Sequence, residues 1–288
     1  MEVIKKYQQF WREYVVGALL ISNIFVFIAV YQRQPSDFLR IYFLNVGQGD
    51  AIFIDSPQHG RVLIDGGPNR QVLAGLGKIL PFADKRIDVV LATHPDKDHI
   101  GGLPEVISRY HVGLFLEPGV EDDKQIDKEL HSRIEGKKTP ILLARKGMTV
   151  NFNDGARLII LFPNQDVSRW DTNDASIVAK LVYGDKSFLL TGDAPIKTEN
   201  ILLKLDSKIL KSTVLKAGHH GSRTSTSLAY AEAVSPEYAI ISAGKDNSYG
   251  HPHKEVLEIL NQVGTKILST IDSGTIKFKT DGKSLEIK

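Results

Sequence analysis

In the stretch "LATHPDKDHIGG", residues 91–102, two histidines and two aspartates fall within six positions: His94, Asp96, Asp98 and His99. They follow an apolar run and precede a glycine pair. Groups packed this tightly repel one another or lose solvation unless a cation collects them. A divalent metal is the cation that suits imidazole and carboxylate together. Alternate residues of one loop can converge on one ion while the next pair turns toward another. The plainer reading is a polar loop at a strand end in which Asp98 caps a helix, the glycine pair letting that helix begin close behind.

Other segments weigh against the plainer reading. "LLTGDA" ends an apolar strand on Asp193, where a carboxylate is costly unless paired or coordinated. "LKAGHHGS" ends another on His219 and His220, "DTNDAS" offers Asn173 and Asp174 just before a strand, and "LIDGG" offers Asp65 at the end of one. Five strand ends carrying ligands or their supports are more than surface polarity explains.

The elements that position these groups are short. "FLRIYFLNV", "AIFID" and "RVLID" read as successive strands separated by "GQGD" and "SPQHG", and "RIDVVLAT" as a β-branched strand running into the first motif. Helical patterns over "NRQVLAGLGKIL", "LPEVISRY" and the charged stretch 121–138 alternate with them. In the second half, "RLIILF", "SIVAKLVYG", "KSFLLTGD", "STVLKAG" and "EYAIISAG" are strands, interleaved with helices over "PIKTENILLKL", "SLAYAEAV" and "KEVLEILNQV". Closing strands lie in "KILST", "GTIKFKT" and "SLEIK". The alternation predicts two mixed sheets with helices outside, in one layered domain whose strand-end loops aim at one point.

The chain of 288 residues is 42% hydrophobic and 24% charged, enough for a sizeable core, and has no cysteine. Disulfides, thiolate nucleophiles and Cys-type zinc sites are excluded together, so any metal rests on His and carboxylate. The net charge of +2 lies wholly in residues 1–33, so the remaining 255 are neutral and the chain's basicity cannot be used to argue for a nucleic-acid partner. "YVVGALLISNIFVFIAV", residues 14–30, carries no charge and reaches the length of a membrane span. "AVYQRQ" offers no small-residue cleavage site, which favours an uncleaved anchor over a signal peptide. Lys5, Lys6 and Arg12 precede the span and Arg33 and Arg40 follow it, a bias toward a cytoplasmic N-terminus. The expected organisation is a cytoplasmic stub and anchor over 1–33, a linker over 34–38 and a globular domain over 39–288. It implies a single-pass protein of the cell membrane, with the domain expected outside the cytoplasm.

These motifs resemble those of metallo-β-lactamase-fold hydrolases, whose signature is H-x-H-x-D-H followed by a later Asp and a later His; here Asp96 replaces the second histidine. "FLNVGQGDAIFI", "THPDKDHIGGL", "NDASIVAKLVYGDKSFLLTGD", "LKAGHHGSRTSTS" and "NSYGHP" resemble, in order, the C-terminal hydrolase domain of the ComEC family of competence DNA-uptake proteins. The resemblance runs from about residue 39 to the end. It leaves out the many-helix channel part of that family, so it implies a stand-alone relative and does not imply import. It implies an α/β (α+β) fold, a four-layer αββα sandwich, with a dinuclear site at its edge. His94 and Asp96 would hold one metal and Asp98 and His99 the other. Asp193 would bridge them, and His219 would complete the second site, leaving His220 to face substrate. The general family's third-motif histidine has no match, Asp174 being nearest, with Asn173 beside it. Asp65 would orient the site from behind, and the Gly47–Asp50 turn would pack beside it. A carboxylate in place of an imidazole moves the expectation of two Zn²⁺ ions toward Mn²⁺.

The resulting expectation is a phosphodiesterase or nuclease acting on DNA. Asp98, His220 and His251 are its catalytic candidates, either histidine protonating the leaving oxygen, and Ser222, Arg223 and Ser225 would hold flanking phosphates. A small-molecule hydrolase (a lactonase, a β-lactamase-like enzyme or a cell-envelope phosphoesterase) fits the same fold and metals, since fold does not choose substrate. A non-catalytic relic is the third reading.

Overall fold

The computed structural model describes residues 2–32, 36–81, 84–120 and 122–288, and the side chains of all but 2–9 and 28–32 among them. The charge bias expected from Lys5, Lys6 and Arg33, and part of the 34–38 linker, lie outside that description. The chain divides into two units, Met1–Ser36 and Asp37–Lys288. The first is one helix, α1 (Glu2–Gln32), whose segment Phe10–Phe27 is long and apolar enough to cross a membrane, with none of it buried.

The second unit opens with strands β1 (Leu39–Phe43), β2 (Ile52–Asp55), β3 (Arg61–Ile64), β4 (Arg86–Leu91), β5 (His111–Glu117) and β6 (Ile141–Leu143). There follow β7 (Thr149–Asn151), β8 (Arg157–Phe162), β9 (Val178–Tyr183), β10 (Lys186–Leu190), β11 (Val214–Lys216), β12 (Tyr238–Ile241) and β13 (Lys266–Ser269). Strands β14 (Ile276–Thr280) and β15 (Leu285–Ile287) close the chain. One sheet has the order β15-β14-β1-β2-β3-β4-β5-β6 and the other β13-β12-β11-β10-β9-β8-β7. β6 and β7, which the alternation does not announce, are three-residue strands at an edge of each sheet.

The inner faces of the two sheets meet in one core that includes Ile41, Phe43, Ile54, Val89, Ile160, Leu181, Phe188 and Phe278. The outer face of the first sheet packs Phe53, Leu63, Val90 and Phe115 against helices α2 (Gln71–Ile79), α4 (Leu103–Arg109) and α5 (Gln125–Lys137), the one-turn α3 (Lys97–Ile100) preceding α4. The second sheet packs Leu189, Leu215 and Ala239 against α6 (Ile196–Asp206), α7 (Leu228–Val234) and α8 (Lys254–Gln262). The architecture is therefore the four-layer αββα sandwich. β3–β6 run parallel, as do β10–β13. Parallel strands are covered on both faces, so their residues are nearly all apolar and polar groups gather in the loops beyond their carboxyl ends.

Candidate metal centre

All the chemical groups but Asp50, which stands in the turn between antiparallel β1 and β2, follow the carboxyl end of a parallel strand. Asp65 follows β3, His94–His99 follow β4, Asp193 follows β10, His219 and His220 follow β11, and His251 lies in the long loop after β12. Local backbone chemistry turns them inward. At Gly49 (φ +134°) a Cβ would sit 2.1 Å from the Asp98 carbonyl oxygen, so glycine alone lets the "GQGD" turn close onto α3. Asp50 then donates its backbone N–H to that oxygen at 3.2 Å, and its carboxylate is buried. His219 (φ +48°) and His220 (φ +56°) are consecutive left-handed residues. That conformation costs ~1–2 kcal/mol per residue and persists where the surroundings over-determine it. Here His219 donates its backbone N–H to Gly192 O at 3.2 Å, and His220 donates Nδ1–H to Ser242 O at 2.9 Å.

Asp50, His99, Asp193 and His220 are all buried, and one ligand atom of each lies within 4.8 Å of the others. His99 Nε2 is 3.2 Å and His220 Nε2 3.3 Å from Asp193 Oδ2; His220 Nε2 is also 3.2 Å from Asp98 Oδ2. His99 donates Nδ1–H to Asp65 Oδ2 at 2.8 Å, and Asp65 is held by the Thr93 N–H and hydroxyl, both at 2.7 Å. Both rings are thereby fixed with Nε2 facing inward, the arrangement that orients metal-binding imidazoles. Asp50 Oδ1, His94 Nε2, His99 Nε2 and Asp193 Oδ1 are buried without a hydrogen-bond partner. A cation is what these oxygens and nitrogens lack, so the residues fit a divalent metal.

One buried cation is already present. Lys216, at the end of β11, is fully buried with Nζ 2.5 Å from Asp50 Oδ2, 2.9 Å from Gly192 O and 3.6 Å from Asp193 Oδ1. Burial lowers its pKa, but Asp50 and Asp193 outweigh burial and raise it. Burial likewise pulls His99 down, yet Asp193 and Asp65 hold it well above the ordinary imidazole range. His220 is raised to about 9, its burial outweighed first by the Asp193 charge. Asp193, which burial pushes up, is held well below the usual carboxylate range by His220 and His99.

The remaining expected residues fall as follows. The His94 ring lies 4.1 Å from the His99 ring, centroid to centroid, and its Nε2 is 3.5 Å from Asp96 Oδ2. Asp96 accepts from Lys124 Nζ at 2.6 Å and from the Thr172 hydroxyl at 3.1 Å. Asp174 is not one of the four clustered residues: its carboxylate pairs with Lys197 of α6, while Thr172 of the same loop bonds Asp96. Asn173 keeps a buried Oδ1 with no hydrogen-bond partner. The tandem histidines differ in burial. His220 lies in the buried cluster, while His219 is partly exposed at the mouth with Nε2 3.6 Å from Asp193 Oδ2. His251 is only 8% exposed, and burial, followed by His219 and His220, lowers its pKa to about 4. So lowered, it is neutral at pH 7 and suited to hydrogen bonding. Among the three residues expected to hold phosphates, Ser225 spends its hydroxyl on Ala194 O at 2.9 Å and buried Ser222 accepts from the Thr224 hydroxyl at 3.0 Å. Arg223 faces solvent, 67% exposed along its side chain.

Comparison with known proteins agrees with this architecture. The metallo-beta-lactamase superfamily model matches residues 44–245, more than half the chain. ComE operon protein 3 of Bacillus subtilis is 33% identical over 260 residues, 83% of this chain and 33% of that protein. Recombination protein 2 of Haemophilus influenzae is 32% identical over 264 residues, 91% of this chain and 31% of its own length. The chain thus spans about a third of the length of the curated relatives it matches. Among solved structures, CmlA, a diiron beta-hydroxylase from Streptomyces venezuelae, superposes with a TM-score of 0.58 at 15% identity. The match covers 85% of this chain and 55% of CmlA, and shares the fold alone. The chain belongs to the metallo-beta-lactamase superfamily, as a metal-dependent hydrolase related to the ComEC-like competence proteins.

Proposed function

We propose that the protein is a phosphodiesterase that cuts nucleic-acid chains, DNA first among them, held at a membrane by α1 with its globular unit outside the cytoplasm. The observation that carries this reading is the meeting of Asp50, His99, Asp193 and His220 in one buried cluster with Asp98 against it. The relatives' names, competence and recombination proteins, supply the choice of DNA. The apolar, unburied segment Phe10–Phe27 supports the anchor.

Charge supports two ions, Mn²⁺ or Zn²⁺. With a metal on Nε2, His99 and His220 would be neutral. Buried Asp50, Asp65 and Asp193 beside one buried ammonium would then leave two negative charges, which one divalent cation cancels; without it the two raised imidazoles carry that charge. Asp96 and Asp98, nearer solvent, add two more, the first met from the solvent side by Lys124. His94 and Asp96 would hold one ion, Asp98, His99 and His220 the other, with Asp193 shared. Divalent ions so held lower the pKa of a bound water and offset charge on phosphoryl oxygens and the leaving alkoxide. The protein's own part is to orient. Asp65 and the Ser242 carbonyl fix the two buried imidazoles, and Lys216 holds Asp50 in place. His219 and neutral His251 line the mouth as hydrogen-bonding groups, and Arg223 offers a cation to a neighbouring phosphate.

The test is end-labelled DNA incubated with the full chain in detergent, wild type and Asp193→Ala, across Mn²⁺, Zn²⁺ and chelator. Metal-dependent cleavage lost in the variant, with its circular dichroism unchanged, is expected. Equal residual activity in the two proteins refutes the reading. So does turnover of small phosphodiesters with polynucleotide left intact.

A further inference from the structure

Tyr249 is 65% exposed, the one large aromatic side chain so exposed among the described residues of the globular unit. It stacks on His251, ring centroids 5.6 Å apart and planes within 19°, so one face is covered and the other is open to solvent. His251 in turn lies 5.5 Å from the His219 ring and 6.2 Å from the His220 ring. The tyrosine is therefore two ring-to-ring steps from the buried His220.

The loop that presents it is built, not merely exposed. Asn247 closes it from inside, donating Nδ2–H to Gly244 O at 2.8 Å and His251 O at 2.7 Å, and accepting the His251 N–H at 2.9 Å. Gln48, from the "GQGD" turn that also carries Asp50, accepts the Gly244 N–H at 3.1 Å. On the other side His253 donates its N–H to Gly221 O at 2.9 Å and accepts the Arg223 N–H at 3.1 Å on Nδ1. The loop holding Tyr249 is thus locked both to the cluster and to the loop carrying exposed Arg223. An open aromatic face, on a loop bonded to the one that carries a solvent-facing guanidinium held only loosely, at 4.0 Å, by exposed Glu255, is a pairing that binds a single strand, by base stacking and phosphate contact together.

We infer that Tyr249 is a stacking platform for an unpaired nucleobase next to the scissile phosphodiester, so that the site takes a single strand or a frayed end and rejects a closed duplex. A base held between its neighbours in a duplex has no free face to offer, whereas every unpaired base has one. Tyr249 acts in positioning, since it touches the substrate away from the reacting atoms. This rests on the reading of the site as a phosphodiesterase for polynucleotides.

The test measures binding by the full chain in detergent and chelator, at fixed salt, by fluorescence anisotropy. The probes are a labelled oligodeoxythymidylate, the same strand with abasic sites, and a blunt duplex. The wild type is expected to bind the base-bearing strand roughly 5- to 140-fold more tightly than the abasic one, as stacking of one base implies. It should also bind it more tightly than the duplex. Tyr249→Ala should lose that difference and hold both strands alike, while Tyr249→Phe keeps it. Equal binding of base-bearing and abasic strands by the wild type overturns the platform. So does a loss in Tyr249→Ala that is as large on the abasic strand, and so does no single-strand binding by the metal-free wild type. If the metal-loaded wild type cleaves polynucleotide while any of these holds, only the platform falls. If it cleaves none, the phosphodiesterase reading falls with it.

Discussion

Replacing Lys216 by methionine keeps most of the side chain's volume and removes its charge from the centre of the site. The ammonium lies 2.5 Å from Asp50 Oδ2 and both groups are buried. A surface pair would contribute ~0–1 kcal/mol, but removing one partner of a buried pair strands the other and costs ~3–5 kcal/mol. Burial decides for the larger figure, and Asp50 Oδ1, already without a hydrogen-bond partner, has nothing to compensate with. At ~2–4 °C per kcal/mol for a domain of this size, the metal-free variant should melt ~6–20 °C below wild type. The same carboxylates belong to the cluster proposed to hold metal, so a divalent cation replaces the missing charge. Saturating Zn²⁺ or Mn²⁺ should therefore raise the melting temperature of Lys216→Met more than that of wild type. Adding Asp50→Asn to the variant should restore part of the loss in chelator, because the stranded charge goes with it. Thermal unfolding followed by circular dichroism, with chelator and with metal, reads all three. An unchanged melting temperature in chelator, or equal metal stabilisation of the two proteins, refutes the electrostatic account.

Asp65→Asn should keep the fold and weaken metal binding by ~10–100-fold, because the His99 ring loses the carboxylate that fixes Nδ1–H; isothermal titration checks it, and unaltered affinity would remove Asp65 from the site. Away from the site, His131 sits between Asp127 and Glu117, whose side-chain hydrogen bonds raise its pKa to about 11 from 6.5. Since the folded state holds the proton more tightly, this stabilisation is complete below about pH 6.5 and is lost as pH rises toward about 11. The stability gap between wild type and His131→Asn in urea should therefore narrow steadily with rising pH; a gap independent of pH contradicts the ion pair.

How far the sequence anticipates the structure depends on which force sets each feature. The strand-end groups His94–His99, Asp193 and the tandem histidines are legible because the buried ends of these parallel strands are nearly all apolar, so the first polar residues after each run mark the sheet's functional edge. Lys216 carries a similar signal, a lysine closing a buried strand, but reading "STVLKAG" as one apolar run hides it. Asp50 stands in a Gly-rich turn of ordinary composition. Its arrival in the cluster depends on the close approach of Gly49 to α3, a contact between segments far apart in sequence. The different burial of His219 and His220 follows from two successive left-handed residues, which no periodicity encodes. Asp174 is claimed by Lys197 on a helix the local pattern does not pair with it. β6 and β7 escape because three residues at a sheet edge carry too little alternation to distinguish a strand from a loop.

Anomalous diffraction at the zinc edge, from crystals of the protein saturated with Zn²⁺, measures the central claim most directly. The expected result is a peak within about 2 Å of Nε2 of both His99 and His220 and of an Asp193 oxygen. Zinc bound only elsewhere, with those three side chains left uncoordinated in the saturated protein, contradicts it.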